Sequence, residues 1–198
     1  MVDGHLLQHI QELNPNLLKD VLETPYPAAV LLLEFDNPDR HLKKAVRKAN
    51  KILDKYAQNT HVVAEPEEQQ KLWKLRASAG TWLSHNEGSA RAVPLIGDGS
   101  VRLEQLTEYI DGMYKLLGAA DLELGLWGHI GTGTLHVQPR LNLAQVGDRQ
   151  KAFKLLDSYH KLVLDLGGTI SAENGDGRLR APYLEQQLGA ELYALLGK

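Results

Sequence analysis

Two histidines, His129 and His136, stand seven residues apart in "GHIGTGTLHVQP", with Gly128, Gly131 and Gly133 around and between them. A glycine-rich turn lets the backbone double back and take positive φ. If the flanking segments are strands, the turn brings the two imidazoles towards each other. Imidazole nitrogens ligate zinc and related divalent ions, and a carboxylate commonly completes such a set. Glu173, in the second glycine-rich stretch "SAENGDG", is the third candidate. The competing reading is structural: a histidine in a strand often only packs or hydrogen-bonds, and Gly131 and Gly133 serve a hairpin with or without a ligand. At the level of residue types both readings stay open.

The elements that must position these residues can be read from the pattern. Leu122, Leu124 and Leu126 alternate with polar or small residues, so a strand enters the glycine turn, and "TLHVQP" leaves it as a second strand. Upstream, "HLLQHIQEL" reads as a short helix within a lead-in of residues 1–26. "YPAAVLLLEF" is a continuous apolar run of the kind found in central strands. Asn37 and Pro38 can open a helix whose Leu42, Ala45, Val46, Ala49, Ile52, Leu53 and Tyr56 form one face over a sheet. "THVVAE" is a short strand. Pro66, Glu67 and Glu68 open a helix carrying Leu72, Leu75, Ala79 and Trp82 at helical spacing. "ARAVPLIG" is extended. The next helix turns Leu103, Leu106, Ile110, Met113 and Leu117 inward and stops at Gly118. A fourth helix starts at Asp148 and ends at Gly167 and Gly168, and the last 17 residues look helical. Short strands separated by long helices favour an α+β fold with an antiparallel sheet covered mainly on one face. A doubly wound sheet is the alternative, but no Gly-x-Gly-x-x-Gly follows the first strand.

Composition narrows the function classes. The 198 residues include 43% apolar side chains, enough for a real core, and a formal net charge of -3. No long basic run suggests nucleic acid. The absence of cysteine excludes disulfides, thiolate metal sites and thiol catalysis. No signal peptide or membrane-length apolar run is present, so a cytoplasmic protein is expected. The two "GDG" triplets at 97–99 and 175–177 read as turns, since calcium needs more oxygen ligands at wider spacing. Trp73, Trp82 and Trp127 read as core or domain-interface residues, with Trp127, beside His129, expected to face a partner domain across an exposed apolar patch.

"GHIGTGTLHVQP" resembles the Gly-His-x-Gly-Asp-Gly-Asn-Leu-His motif of the C-terminal domain of FAD-linked oxidases, a family that includes D-lactate dehydrogenases, the glycolate oxidase flavoprotein subunit and D-2-hydroxyglutarate dehydrogenase. "LGGTISAENGDGRLR" resembles its Gly-Gly-x-x-Ser-x-Glu-His-Gly-x-Gly segment, "LWKLRASAG" its Leu-Trp-x-x-Arg helix, and "ARAVPL" its Val-Pro edge. The segments occur in the family's order, and residues 27–198 are expected to form the domain. The resemblance implies a ferredoxin-like core with added C-terminal helices. It implies that His129, His136 and Glu173 hold zinc or another divalent ion, that Arg76 pairs with the carboxylate of a 2-hydroxy acid, and that Gln138 lines the pocket. It places Thr134 and Asn174 on the cofactor side. It also implies FAD, held by an FAD-binding domain that lies in cis or in a separate subunit. Without that partner the chain should neither hold FAD tightly nor turn over. Association with a second copy of the chain stays open.

The departures bear on catalysis. The motif's aspartate is Thr132 and its asparagine Thr134; the histidine that accepts a proton in family enzymes is Asn174, and the next-but-one position is Asp176. An asparagine is no general base near neutral pH. The leading expectation is thus the substrate and cap domain of an FAD-dependent 2-hydroxy-acid dehydrogenase or oxidase. The alternative is a non-catalytic binding or assembly subunit that retains the fold. A small metallohydrolase is a weaker third reading, because Glu173 cannot readily serve as ligand and base together.

Overall fold

Leu126, Leu135 and Val137 are fully buried on one side of a hairpin, and Trp127, His129 and His136 occupy the other. The hairpin is the centre of a computed structural model that describes residues 1–36, 39–80, 89–122 and 124–196. Its strands are β5 (Leu124–His129) and β6 (Thr134–Leu141), preceded by β1 (Val2–Asp3), β2 (Ala29–Val30), β3 (Arg91–Ala92) and β4 (Ile96–Ser100). All pairings are antiparallel, in the order β2-β1-β5-β6-β3, with β4 also on β6. A single bridge between Ser100 and Thr169 adds a further extended segment beside β4. From Ile96 onward the chain therefore runs strand, helix, two strands, helix, strand, with β4 between β6 and the Thr169 segment. That is the split βαβ arrangement of a ferredoxin-like core.

The helices are α1 (Gly4–Leu13), α2 (Asp39–Tyr56), α3 (Pro66–Ala77), α4 (Leu106–Ala120), α5 (Val146–Asp165) and three short C-terminal pieces, α6 (Gly177–Arg180), α7 (Leu184–Leu188) and α8 (Ala190–Leu195). The two long helices α4 and α5 pack on one sheet face. Tyr109, Met113 and Leu117 from α4 and Leu155, Leu156, Tyr159 and Val163 from α5 close over Ile96, Leu126, Leu135 and Val137. Each fully buried aliphatic side chain of this set contributes about 1.5–3 kcal/mol. On the opposite face a smaller core joins Leu6, Leu7 and Ile10 of α1 to Val2, Leu75, Ala79 and Trp127. Helix α1 starts cleanly because the Asp3 carboxylate caps it, accepting from the Leu6 N–H at 2.9 Å.

Several expectations change. The run "YPAAVLLLEF" contributes only Ala29–Val30 to the sheet, at its edge, and Leu31 and Leu33 are 51% and 47% exposed. "THVVAE" forms no strand, and Val62 is exposed. Helix α2 exists, but neither core among the described residues includes any of its side chains, and Ile52 and Tyr56 are exposed. Its apolar stripe was legible; what it would cover was not. The proposed start at Asn37 and Pro38, and Trp82, lie outside the described residues. Leu103 is exposed because its segment is a 3-10 turn before α4, and Tyr109 takes the inward place instead. Helix α4 runs past Gly118 and ends at Asp121, which adopts the left-handed conformation at φ 51°. Asp148 sits in the first turn of α5 and accepts from the Asn142 N–H at 2.8 Å, whereas the cap position is Gln145. Trp73 is exposed on α3.

Candidate metal centre

The strand register sets the histidines. His129 lies opposite Thr134 and His136 opposite Trp127, so the two imidazoles are diagonal neighbours on one face of the ladder. Their ring centroids are 6.3 Å apart and their planes nearly perpendicular, at 84°. A 3-10 turn over Ile130–Thr132 and a left-handed Gly133 (φ 72°) join the strands. A β-carbon on Gly133 would stand 1.9 Å from the Val101 carbonyl oxygen, so the position requires glycine for space as well as for φ. The Thr132 hydroxyl donates to the His129 carbonyl at 2.9 Å and shares a 3.1 Å hydrogen bond with the buried Thr134 hydroxyl. Thr132 and Thr134 thus brace the turn that carries the first histidine.

Glu173 comes in from the loop after the Thr169 segment. Its Oε2 lies 3.0 Å from His136 Nε2 and its Oε1 3.5 Å from His129 Nε2. One donor atom from each of the three residues falls within 4.8 Å of the others. Two donors about 2.1 Å from a shared ion stand at most about 4.2 Å apart. The His136–Oε2 and His129–Oε1 separations both lie inside that limit. His136 is mostly shielded, with 18% of its side chain exposed, while His129 and Glu173 open to solvent at 46% and 41%. Two nitrogens and one carboxylate with an open side are donors of the kind that would suit a catalytic rather than a structural zinc ion.

Trp127, expected on an exposed patch, is buried instead, 8% exposed beneath α1, with its ring stacked 5.9 Å from that of His136. It backs the site rather than facing a partner. Gln138 lies two residues beyond His136 on the same face of β6 and is half-buried. Arg76 is exposed on α3, near the Met1 ammonium, whose pKa is lowered by burial and by the arginine charge; that ammonium donates to the Gly128 carbonyl at 2.9 Å, next to His129. The Asn174 side chain is exposed beside Glu173.

Asp98, read from the sequence only as part of a turn, and Arg180, for which no role was read, hold the Glu173 loop. Asp98 is 2% exposed and sits at φ 63°, the extra residue of a bulge in β4 between Gly97, opposite His136, and Gly99, opposite Leu135. Its carboxylate accepts from the backbone N–H groups of Glu173 and Asn174, both at 2.8 Å, and from Arg180 Nη1 at 2.9 Å. Burial alone would raise the Asp98 pKa, but the N–H donors of Asn174 and Glu173 and the Arg180 charge hold it below the usual carboxylate value. The signal available in the sequence was the pair of "GDG" triplets, which spacing alone could not connect.

The site thus stands on a ferredoxin-like core of the α+β class, whose central hairpin and the loop after the Thr169 segment gather two imidazoles and a carboxylate. The chain belongs to the family of FAD linked oxidases, C-terminal domain, whose model matches residues 1–198. It is similar to a D-2-hydroxyglutarate dehydrogenase of Haemophilus influenzae, 32% identical over 63% of this chain and 12% of that protein. It is also similar to the glycolate oxidase subunit GlcD of Bacillus subtilis, 26% identical over 82% of this chain and 34% of the relative. A mitochondrial D-lactate dehydrogenase [cytochrome] of Arabidopsis thaliana is 28% identical over 87% of this chain and 30% of the relative. The matched part thus spans between about an eighth and a third of these relatives. Among the described residues no helix is long and apolar enough to cross a membrane.

Proposed function

We propose that this chain is the substrate-binding and cap domain of an FAD-dependent 2-hydroxy-acid dehydrogenase or oxidase, working with an FAD-binding domain in cis or in a separate subunit. The observation that carries the reading is the convergence of His129, His136 and Glu173 in a chain of this family. These three residues would hold zinc or a similar divalent ion. Such an ion, when bound, lowers the pKa of a hydroxyl that coordinates it. FAD, held by the FAD-binding domain, would supply the hydride acceptor. The chain's own part is to bind and orient. Arg76 offers a planar fork of donors suited to the substrate carboxylate. Gln138, beside His136, lines the pocket. Thr134 fixes the turn on the cofactor side. Trp127 and α1 close the back of His136 against water.

Asn174 stands where family enzymes carry the proton-accepting histidine, and it cannot take that proton. This one substitution favours the second reading, a binding or assembly subunit without turnover. Calorimetric zinc titration of the wild type and His136→Ala tests the ligand set: measurable wild-type binding that is lost in the variant supports it, and equal affinities remove His136. Steady-state assays of the chain reconstituted with its FAD-binding partner, against a panel of 2-hydroxy acids, then separate the readings. Turnover by the wild type, or turnover gained only in Asn174→His, supports the oxidoreductase. Absence of turnover in both forms, with zinc still bound, supports the binding subunit.

A further inference from the structure

We infer that Asp98 is the positioning residue for Glu173: the buried carboxylate on the β4 bulge anchors the backbone of residues 172–174 and so aims the Glu173 carboxylate at the two histidines. The inference rests on the reading of Glu173 as a ligand.

The loop "SAENGDG" cannot hold that aim by itself. Its flanking glycines leave the backbone free, and no regular element spans it. What fixes it is a convergence of donors on one anion. The N–H groups of Glu173 and Asn174 reach Asp98 at 2.8 Å each, and the Ala172 N–H lies 3.3 Å from Oδ2 and 3.0 Å from the Asp98 carbonyl. Successive N–H groups turned to one side form a concave, partly positive nest that needs a negative charge within it. Asp98 supplies that charge from 74 residues or more upstream. Arg180 closes the far side. Its Nη1 lies 2.9 Å from Asp98 Oδ2, 3.2 Å from Ser171 Oγ, 3.1 Å from the Asn174 carbonyl and 3.3 Å from that of Gly175. Ser171 Oγ in turn donates to Asp176.

The anchor is itself held from below. Gly99 N–H donates to the Tyr159 hydroxyl at 2.8 Å, the Tyr109 hydroxyl donates to the Gly99 carbonyl at 3.3 Å, and the two hydroxyls are 3.0 Å apart. Helices α4 and α5 therefore pin the bulge from the core side. Gly97, one residue before Asp98, faces His136 in the ladder, and a β-carbon there would meet the Val137 nitrogen at 2.9 Å. The strand step that seats His136 thus also seats Asp98, and through Asp98 it seats Glu173. A buried carboxylate is costly unless paired and hydrogen-bonded. Here it is both, and its partners belong to the loop that delivers a ligand.

The test compares the full chain with Asp98→Asn, which keeps the shape and removes the charge, with Arg180→Lys, and with Leu117→Ala as a core-destabilised control that makes no bond to Asp98 or Arg180. Three readouts are taken: zinc affinity by competition calorimetry, thermal unfolding by circular dichroism, and the amide shifts and hydrogen exchange of Glu173 and Asn174 in metal-free protein. Asp98→Asn is expected to weaken zinc about 10- to 100-fold. It should also strip protection and the charge-assisted downfield shift from the two amides, with the core amides unchanged. Leu117→Ala should lower the melting temperature and leave zinc affinity within about twofold. Wild-type zinc affinity in Asp98→Asn, or a loss equal to that of Leu117→Ala at matched stability, overturns the inference. If Asp98→Asn does not fold, Arg180→Lys decides, with a loss of about 3- to 10-fold and altered amides expected, and wild-type values overturning it. If the wild type binds no zinc, the ligand reading fails, and unaltered Glu173 and Asn174 amides in Asp98→Asn would overturn the anchoring as well.

Discussion

Trp127 and His136 face each other across β5 and β6 with their rings stacked at 5.9 Å and 26°. The indole is simultaneously the lid of the smaller core, packed with Leu6, Leu7 and Ile10. Core packing and the orientation of the His136 ring therefore share one side chain. Trp127→Ala should destabilise the fold by about 3–5 kcal/mol and also broaden the His136 ring resonances. Trp127→Phe should recover most of both. Urea denaturation followed with imidazole NMR checks this, and an unperturbed His136 ring in the alanine variant would show that the stack is incidental.

The tyrosine pair beneath the β4 bulge makes a different demand. Removing the Tyr159 hydroxyl leaves the buried Gly99 N–H without its acceptor. Tyr159→Phe is expected to cost about 1–3 kcal/mol, and Tyr109→Phe about 1 kcal/mol, since its bond to the Gly99 carbonyl is longer. The double variant should lose less than the sum, because the hydroxyls also bond each other. Additive losses in equilibrium denaturation would deny the coupling.

Stability should fall in mild acid through His160. The ring is 1% exposed, its centroid is 4.0 Å from that of Tyr183 and 5.4 Å from that of Tyr159, and its Nδ1 has no hydrogen-bond partner among the described residues. Burial first, and the Arg180 charge second, pull its pKa from 6.5 down to about 4 against the opposing pull of Asp157. Between those values the unfolded chain binds the proton and the folded chain does not, so stability rises with pH across the window. The contribution is complete above about pH 6.5 and is lost as pH falls to about 4, a change on the order of 3 kcal/mol. His160→Phe should flatten the dependence of the denaturation midpoint on pH in that range. Identical slopes for the two proteins would assign the acid sensitivity elsewhere.

The hairpin turn offers a paired test of backbone against space. Gly133→Ala must adopt φ 72° and drive its β-carbon into the Val101 carbonyl, and a loss well above about 1 kcal/mol is expected. Gly131→Ala, two residues away, meets nothing within 4 Å and should stay within about 0.5 kcal/mol of the wild type. Calorimetric melting of both proteins decides it, and equal penalties would mean that the turn relaxes.

The hairpin and its histidines were legible because alternation, glycine and imidazole all sit within a dozen residues. The long helices α4 and α5 were legible from their periodicity. Asp98 and Arg180 were not, since their roles depend on contacts across 74 to 82 residues, and no local pattern distinguishes a carboxylate in a turn from one inside a nest. Trp127 was misplaced for a related reason. Its neighbour His129, on the same face of β5, suggested a surface, but α1 packs over that part of the face and covers the indole. Helix α2 shows the converse: a strong apolar stripe records a capacity for burial without naming the surface that would use it.

Thr169 joins the sheet through two 2.9 Å hydrogen bonds with Ser100, one in each direction. Past that bridge no ladder holds the segment: the Ala172 N–H reaches the Asp98 carbonyl, and the Glu173 and Asn174 amides reach the Asp98 carboxylate. β5 and β6 share a full ladder instead. The histidines thus stand on a frame of many equivalent bonds and the glutamate hangs from one side chain, so a single substitution can detach the carboxylate while the hairpin stays folded.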